Sequence, residues 1–145
     1  MRIAVGADHA GVTLKGDITR LLAELGVVYT DFGTDTTASV DYPDFAAIVA
    51  RGVADGSFDR GILVCGSGIG MAIAANKVAG VRAAVAADET AARLSREHND
   101  ANVLALGARL TPADTARRIV SVFLDTPFAG GRHQQRVDKI TALEP

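Results

Sequence analysis

Along the chain, short runs of β-branched residues and alanine alternate with longer stretches in which apolar residues recur at helical spacing. Residues 2–6 read as a strand; Leu14, Ile18, Leu21, Leu22 and Leu25 then mark a helix that Gly26 stops. Residues 27–30 form a second strand, and a polar loop over 31–41 leads to Tyr42-Pro43, where proline opens a helix through Ala54 that ends at Gly56. A third strand over 61–64 runs into a glycine-rich turn and a helix over 69–77. The fourth strand is 82–86, and Asp88 caps a helix carrying Arg93 and Arg96. After a fifth strand over 103–106, Thr111-Pro112-Ala113-Asp114 has the form of a capping signature for a helix through Leu124. A last helix starts near Arg132, behind Gly130-Gly131.

This β-α order predicts a three-layer αβα fold: a five-stranded, mostly parallel, doubly wound (Rossmann-like) sheet joined by right-handed crossovers. With 145 residues and no repeat or linker, residues 1–145 are expected to form one domain. In such sheets ligands bind beyond the carboxyl ends of the strands. Three segments fall there: Gly6-Ala7-Asp8-His9-Ala10-Gly11, the turn from Cys65 to Gly70, and Gly107-Ala108-Arg109.

Composition removes whole classes of function. No apolar run approaches the roughly 20 residues of a membrane span, and a chain that begins at once with a strand leaves no room for a signal peptide. A cytoplasmic protein is expected. A net charge of -2 gives no electrostatic case for nucleic acid or for an anionic membrane. One cysteine forms no internal disulfide and suits a reducing compartment.

That cysteine ends the third strand. In "CGSGIG", glycines 66, 68 and 70 let backbone N–H groups converge ahead of a helix, so the turn serves either as tight strand-to-helix packing or as an anion nest. Neither a P-loop nor a dinucleotide fingerprint fits, since no Gly-Lys-Ser/Thr follows and the spacing is wrong. Cys65 is either a core filler or, beside those donors, a thiolate fit to act as nucleophile or base. Asp8-His9 reads as a helix N-cap with a surface histidine or as a second polar cluster of a site. His98-Asn99-Asp100 reads as a helix stop or a third cluster. Arg132 and Arg136, four apart on one helix face, form a solvated basic face or a phosphate clamp; His133 falls off that face and gains no role.

Taken together and in order, "GADHAG", "DYPDFA", "CGSGIGMAIAANK", "HNDANVLALGAR" and "GGRHQQRV" resemble the type B ribose-5-phosphate isomerases across nearly the whole chain. That family also holds allose-, galactose- and tetrose-phosphate isomerases. The resemblance implies an aldose–ketose isomerase that needs neither metal nor other cofactor, acting on a sugar phosphate as a homodimer or a dimer of dimers. It implies Cys65 as the base moving a proton between C1 and C2, and His98 as the residue assisting ring opening. Asp8, His9 and Tyr42 would contact substrate. Gly66, Ser67, Gly68, Ile69 and Gly70 would hold the enediolate oxygens, and Asn99, Arg109, Arg132 and Arg136 would bind hydroxyls and phosphate. Ser67 stands where many members have threonine. Relatives that replace the cysteine use a glutamate on the next helix, where this chain has Ala74 and Ala75.

Other classes fit less well. A phospho-receiver module needs an aspartate where Cys65 stands and a lysine near Gly107. A nucleotide or flavin module could place Asp31 on a ribose, but the first turn lacks Gly-x-Gly-x-x-Gly. A non-catalytic interaction domain would have no use for the arginine pair. Topology adds one expectation: His98 and Asn99 precede the fifth strand while Cys65 ends the third, so a strand length of about 17 Å separates them. One chain cannot close that gap, and the active site is expected to be shared between two subunits.

Overall fold

A computed structural model describes residues Met1–Pro145. Five strands, β1 (Arg2–Ala7), β2 (Val28–Asp31), β3 (Arg60–Cys65), β4 (Ala83–Val85) and β5 (Val103–Gly107), form one sheet in the order β2-β1-β3-β5-β4. Every pairing is parallel. Six helices connect and cover the strands: α1 (Val12–Glu24), α2 (Tyr42–Ala54), α3 (Ile69–Ala75), α4 (Glu89–Asn99), α5 (Ala113–Asp125) and α6 (Arg132–Thr141). A 3-10 turn, His9–Gly11, leads into α1.

The strands' two-residue side-chain period sorts the core into two layers. Ile3, Val5, Ile62, Val64, Leu104 and Leu106 face α1 and α5, where Ile18, Leu22, Ile119 and Phe123 are fully buried. Ala4, Leu63, Cys65, Val103 and Ala105 face the other way, onto Val49 and Ala50 of α2 and Met71 of α3. A fully buried Leu or Ile contributes about 1.5–3 kcal/mol, so both layers help hold the central strands in place. Cys65 belongs to the second layer and is 5% exposed.

Three local expectations are altered. The helix behind Thr111 starts at Ala113 with Pro112 as its N-cap and no side-chain cap, because Thr111 is turned inward and buried. α3 stops at Ala75 rather than running to residue 77: the Asn76 side chain donates to the Ala83 carbonyl at 3.0 Å and accepts its N–H at 2.8 Å, imitating a strand partner. β4 keeps only three residues, since the Arg82 N–H is taken by Asn102 Oδ1 at 2.8 Å.

Candidate active site

Residue alternation brings Cys65 to the carboxyl end of β3, opposite Gly107 of β5. Beyond the strands the segments that follow β3 and β5 stay joined, the Ala108 N–H donating to the Cys65 carbonyl at 2.8 Å and the Arg109 N–H to the Gly66 carbonyl at 3.0 Å. This fixes the 65–70 turn against the β5–α5 turn. Gly68 has φ +79°, and a Cβ there would stand 2.9 Å from the Leu106 carbonyl carbon, so only glycine fits. In that conformation its N–H donates to Cys65 Sγ at 3.1 Å. The N–H groups of Gly66, Ser67 and Gly70 have no acceptor within the chain, whereas that of Ile69 is held by Ser67 Oγ at 3.2 Å.

A cleft of about 530 Å³ opens over this turn. Cys65, Gly66, Ser67, Ile69 and Gly70 form its floor, and Asp8, Tyr42 and Arg109 bring polar groups to it. Tyr42, the first residue of α2, lies so close over Gly70 that a Cβ would meet its ring at 2.6 Å. Arg109 lies over Gly66, where a Cβ would come within 2.8 Å of the guanidinium. Asp8 caps the 3-10 turn, Oδ1 accepting the N–H groups of Ala10 and Gly11 at 3.0 and 3.2 Å. Cap and cleft wall are therefore one residue. His9 stands next to Asp8 without lining the cleft, its Nδ1 accepting the Val40 N–H at 3.2 Å.

The remaining predicted residues sit at the other end of the sheet. His98 and Asn99 finish α4, and Asp100, in the left-handed region at φ 46°, caps it. Asp100 is clasped by Arg96 at 2.8 Å and Arg82 at 3.4 Å. The Asn99 carbonyl accepts from Arg82 Nε at 3.1 Å. The His98 ring stacks on His133 of α6, centroids 4.3 Å apart and planes 14° from parallel. Arg132 and Arg136 flank His133 closely enough that, after desolvation and His98, their charges lower its pKa below the ordinary histidine value. One chain thus separates the predicted residues into two groups: Asp8, Tyr42, Cys65, the glycine turn and Arg109 at the carboxyl ends of the strands, and His98, Asn99, Arg132 and Arg136 at the amino ends.

Sequence spacing left His133 aside because it considers only one helix; the stack is made between two. It also passed over Ile73 and Leu110, which line the cleft while 60% and 66% exposed. The recurrence of Ile69 and Ile73 at i, i+4 was the available signal. No cluster of three or more His, Cys, Asp or Glu side chains gathers anywhere in the fold, and no helix is long and apolar enough to cross a membrane.

A doubly wound parallel sheet with a thiol-bearing cleft beyond the carboxyl ends of its strands defines an α/β protein of small-molecule chemistry. The family is explicit: residues 3–140 match the Ribose/Galactose Isomerase model, and the chain belongs to that family of aldose–ketose sugar-phosphate isomerases. It is 50% identical over 143 residues to ribose-5-phosphate isomerase B of Escherichia coli (strain K12), covering 99% of this chain and 96% of that protein. It is 45% identical to the D-erythrulose-4-phosphate isomerase of Pectobacterium atrosepticum, with coverage of 99% and 95%. Among solved structures, the Clostridium thermocellum ribose-5-phosphate isomerase B superposes with a TM-score of 0.97 at 52% identity, covering 99% of this chain and 97% of that one.

Proposed function

We propose that residues 1–145 act as one catalytic domain that interconverts ribose 5-phosphate and ribulose 5-phosphate, with Cys65 as the base. The observation that carries this reading is the Cys65 sulfur at the floor of the cleft, holding a hydrogen bond from the Gly68 N–H. As a thiolate, Cys65 takes the proton from C2 of the open-chain aldose. The electron pair moves into the C1–C2 bond and leaves negative charge on the carbonyl oxygen. The unoccupied N–H groups of Gly66, Ser67 and Gly70 face that charge, and such donors contribute a few kcal/mol in the transition state, about 2.7–4 each in related oxyanion sites. The hydroxyl proton on O2 moves to O1, shifting the charge to O2. As the C2 carbonyl forms, the thiol returns its proton to C1, which gives the ketose and restores the thiolate, so the step is redox-neutral overall and needs no cofactor.

Ring opening and phosphate binding fall to the second half-site. His98 aids ring opening; Asn99, Arg132 and Arg136, with Arg109, Asp8, His9 and Tyr42, hold hydroxyls and phosphate. The length of β3 between these groups, about 17 Å, puts them beyond one chain's reach. A two-fold homodimer, alone or paired as a dimer of dimers, brings the partner subunit's half-site over Cys65. The place of action is the cytoplasm.

A second reading, isomerisation of another sugar phosphate, is favoured by the relative that acts on a four-carbon phosphate; six-carbon allose and galactose phosphates belong to the same test. Comparing kcat/KM over four-, five- and six-carbon aldose phosphates decides between them. Highest kcat/KM on ribose 5-phosphate supports the first reading, and a tenfold or greater preference for another length replaces it.

A further inference from the structure

Lys15 lies in the first turn of α1, far from solvent, with 3% of its surface exposed. Its ammonium reaches across to the end of β2, at 2.7 and 2.8 Å from the two carboxylate oxygens of Asp31 and 3.0 Å from Asp35 Oδ1. Asp31 in turn accepts the Gly33 N–H at 2.8 Å. Burying a lysine costs stability unless its charge is fully paired, so the pairing fixes where the following loop must run. That loop is stitched to β1 by Ala7 N–H to Gly33 carbonyl at 2.7 Å and Thr34 N–H to Ala7 carbonyl at 2.8 Å. From residue 36 to 39 it makes no further hydrogen bond before the Val40 N–H reaches His9 Nδ1 at 3.2 Å. Two residues on, Tyr42 begins α2 in the cleft wall.

We infer that Lys15 is a positioning residue for substrate binding: through Asp31 and Asp35 it sets the loop so that the Val40 N–H occupies His9 Nδ1. With Nδ1 an acceptor, the neutral ring carries its proton on Nε2. His9 then offers one fixed donor beside Asp8, suited to a phosphate or hydroxyl oxygen. The inference rests on the reading of His9 as a substrate contact.

The tautomer can be read without substrate. In long-range 1H–15N spectra of the free enzyme, His9 is expected to show an acceptor-type Nδ1 and a protonated Nε2 in the wild type. Lys15→Met should shift both toward the averaged values of a free ring and raise KM for ribose 5-phosphate about fivefold with kcat nearly unchanged. Lys15→Arg should restore most of the loss. Asp35→Ala, at a carboxylate 82% exposed, disturbs the same link without touching the core and guards against a Lys15 variant that fails to fold. A wild-type His9 signature retained in both Lys15→Met and Asp35→Ala overturns the inference, whatever happens to thermal stability. His9→Ala with KM unchanged would instead remove His9 from the substrate site and leave the Lys15 link standing.

Discussion

The backbone N–H of Gly68 points at the sulfur of Cys65 from 3.1 Å, and it does so because Gly68 occupies a left-handed conformation closed to other residues. The donor and the thiol are therefore one device. Replacing Gly68 by alanine puts an L-residue at φ +79°, costing about 1–2 kcal/mol before the clash with Leu106 is counted. A lower melting temperature together with a fall of at least tenfold in kcat is expected; loss of stability with kcat intact would separate the two.

Cys65→Ala is expected to lower kcat by about three orders of magnitude or more while sugar phosphate still binds, since the base acts in the transition state. Isothermal titration with ribose 5-phosphate measures the binding, and a coupled assay the turnover. Iodoacetamide should inactivate the wild type more slowly under saturating substrate. A variant keeping more than about a tenth of wild-type kcat takes the proton transfer away from Cys65.

If the two groups form a shared site as proposed, complementation follows. Mixed and re-paired Cys65→Ala and His98→Ala chains should form about half hybrid dimers, each with one intact site, and recover roughly a quarter of wild-type activity. Native mass spectrometry confirms exchange. An inactive mixture of confirmed hybrids would mean that both residues serve one chain's site.

Arg136→Ala should raise KM for ribose 5-phosphate by an order of magnitude or more and leave weak turnover of unphosphorylated ribose almost unchanged, because charge-assisted contacts to phosphate are lost only where phosphate is present. Equal losses on both sugars point to a folding defect.

Histidine titration gives a pH test. Desolvation first, then His98, Arg132 and Arg136, lower the His133 pKa from 6.5. In the window between the lowered value and 6.5 the unfolded chain binds more protons than the folded one, so stability rises with pH there and is lost on acidification. NMR should place the His133 midpoint below 6.5 and move it upward in His98→Ala; an unmoved midpoint would deny the stacked ring any part in the shift.

How much of this was legible in the sequence depends on the range of the interaction. The five strands follow from their short β-branched and alanine-rich runs between helical patterns, and Tyr42-Pro43, Asp88 and Gly26 mark helix ends through local chemistry. Cys65, Asp8 and Arg109 could be placed together beyond the carboxyl ends of the strands because strand direction suffices for that, whereas Tyr42 entered only through the family resemblance. Thr111 misled because its side chain is buried and the helix starts one residue later, behind Pro112. Asn76 ended α3 early by bonding to β4, the His98–His133 stack joins α4 to α6, and Lys15 finds its carboxylates 16 and 20 residues away. Those contacts arise only once the chain has closed on itself.

The two-residue alternation of β3 has a practical consequence. Slipping that strand by one position would turn the Cys65 sulfur into the layer that faces α1 and α5 and turn Val64 toward the cleft. The thiol therefore lines the cleft in only one pairing of β3 with its neighbours. Because it is the chain's single cysteine, substrate protection of its alkylation, if Cys65 is the base as proposed, would count the molecules whose central strand has found its place. The single thiol would thus serve as a built-in gauge of correct folding.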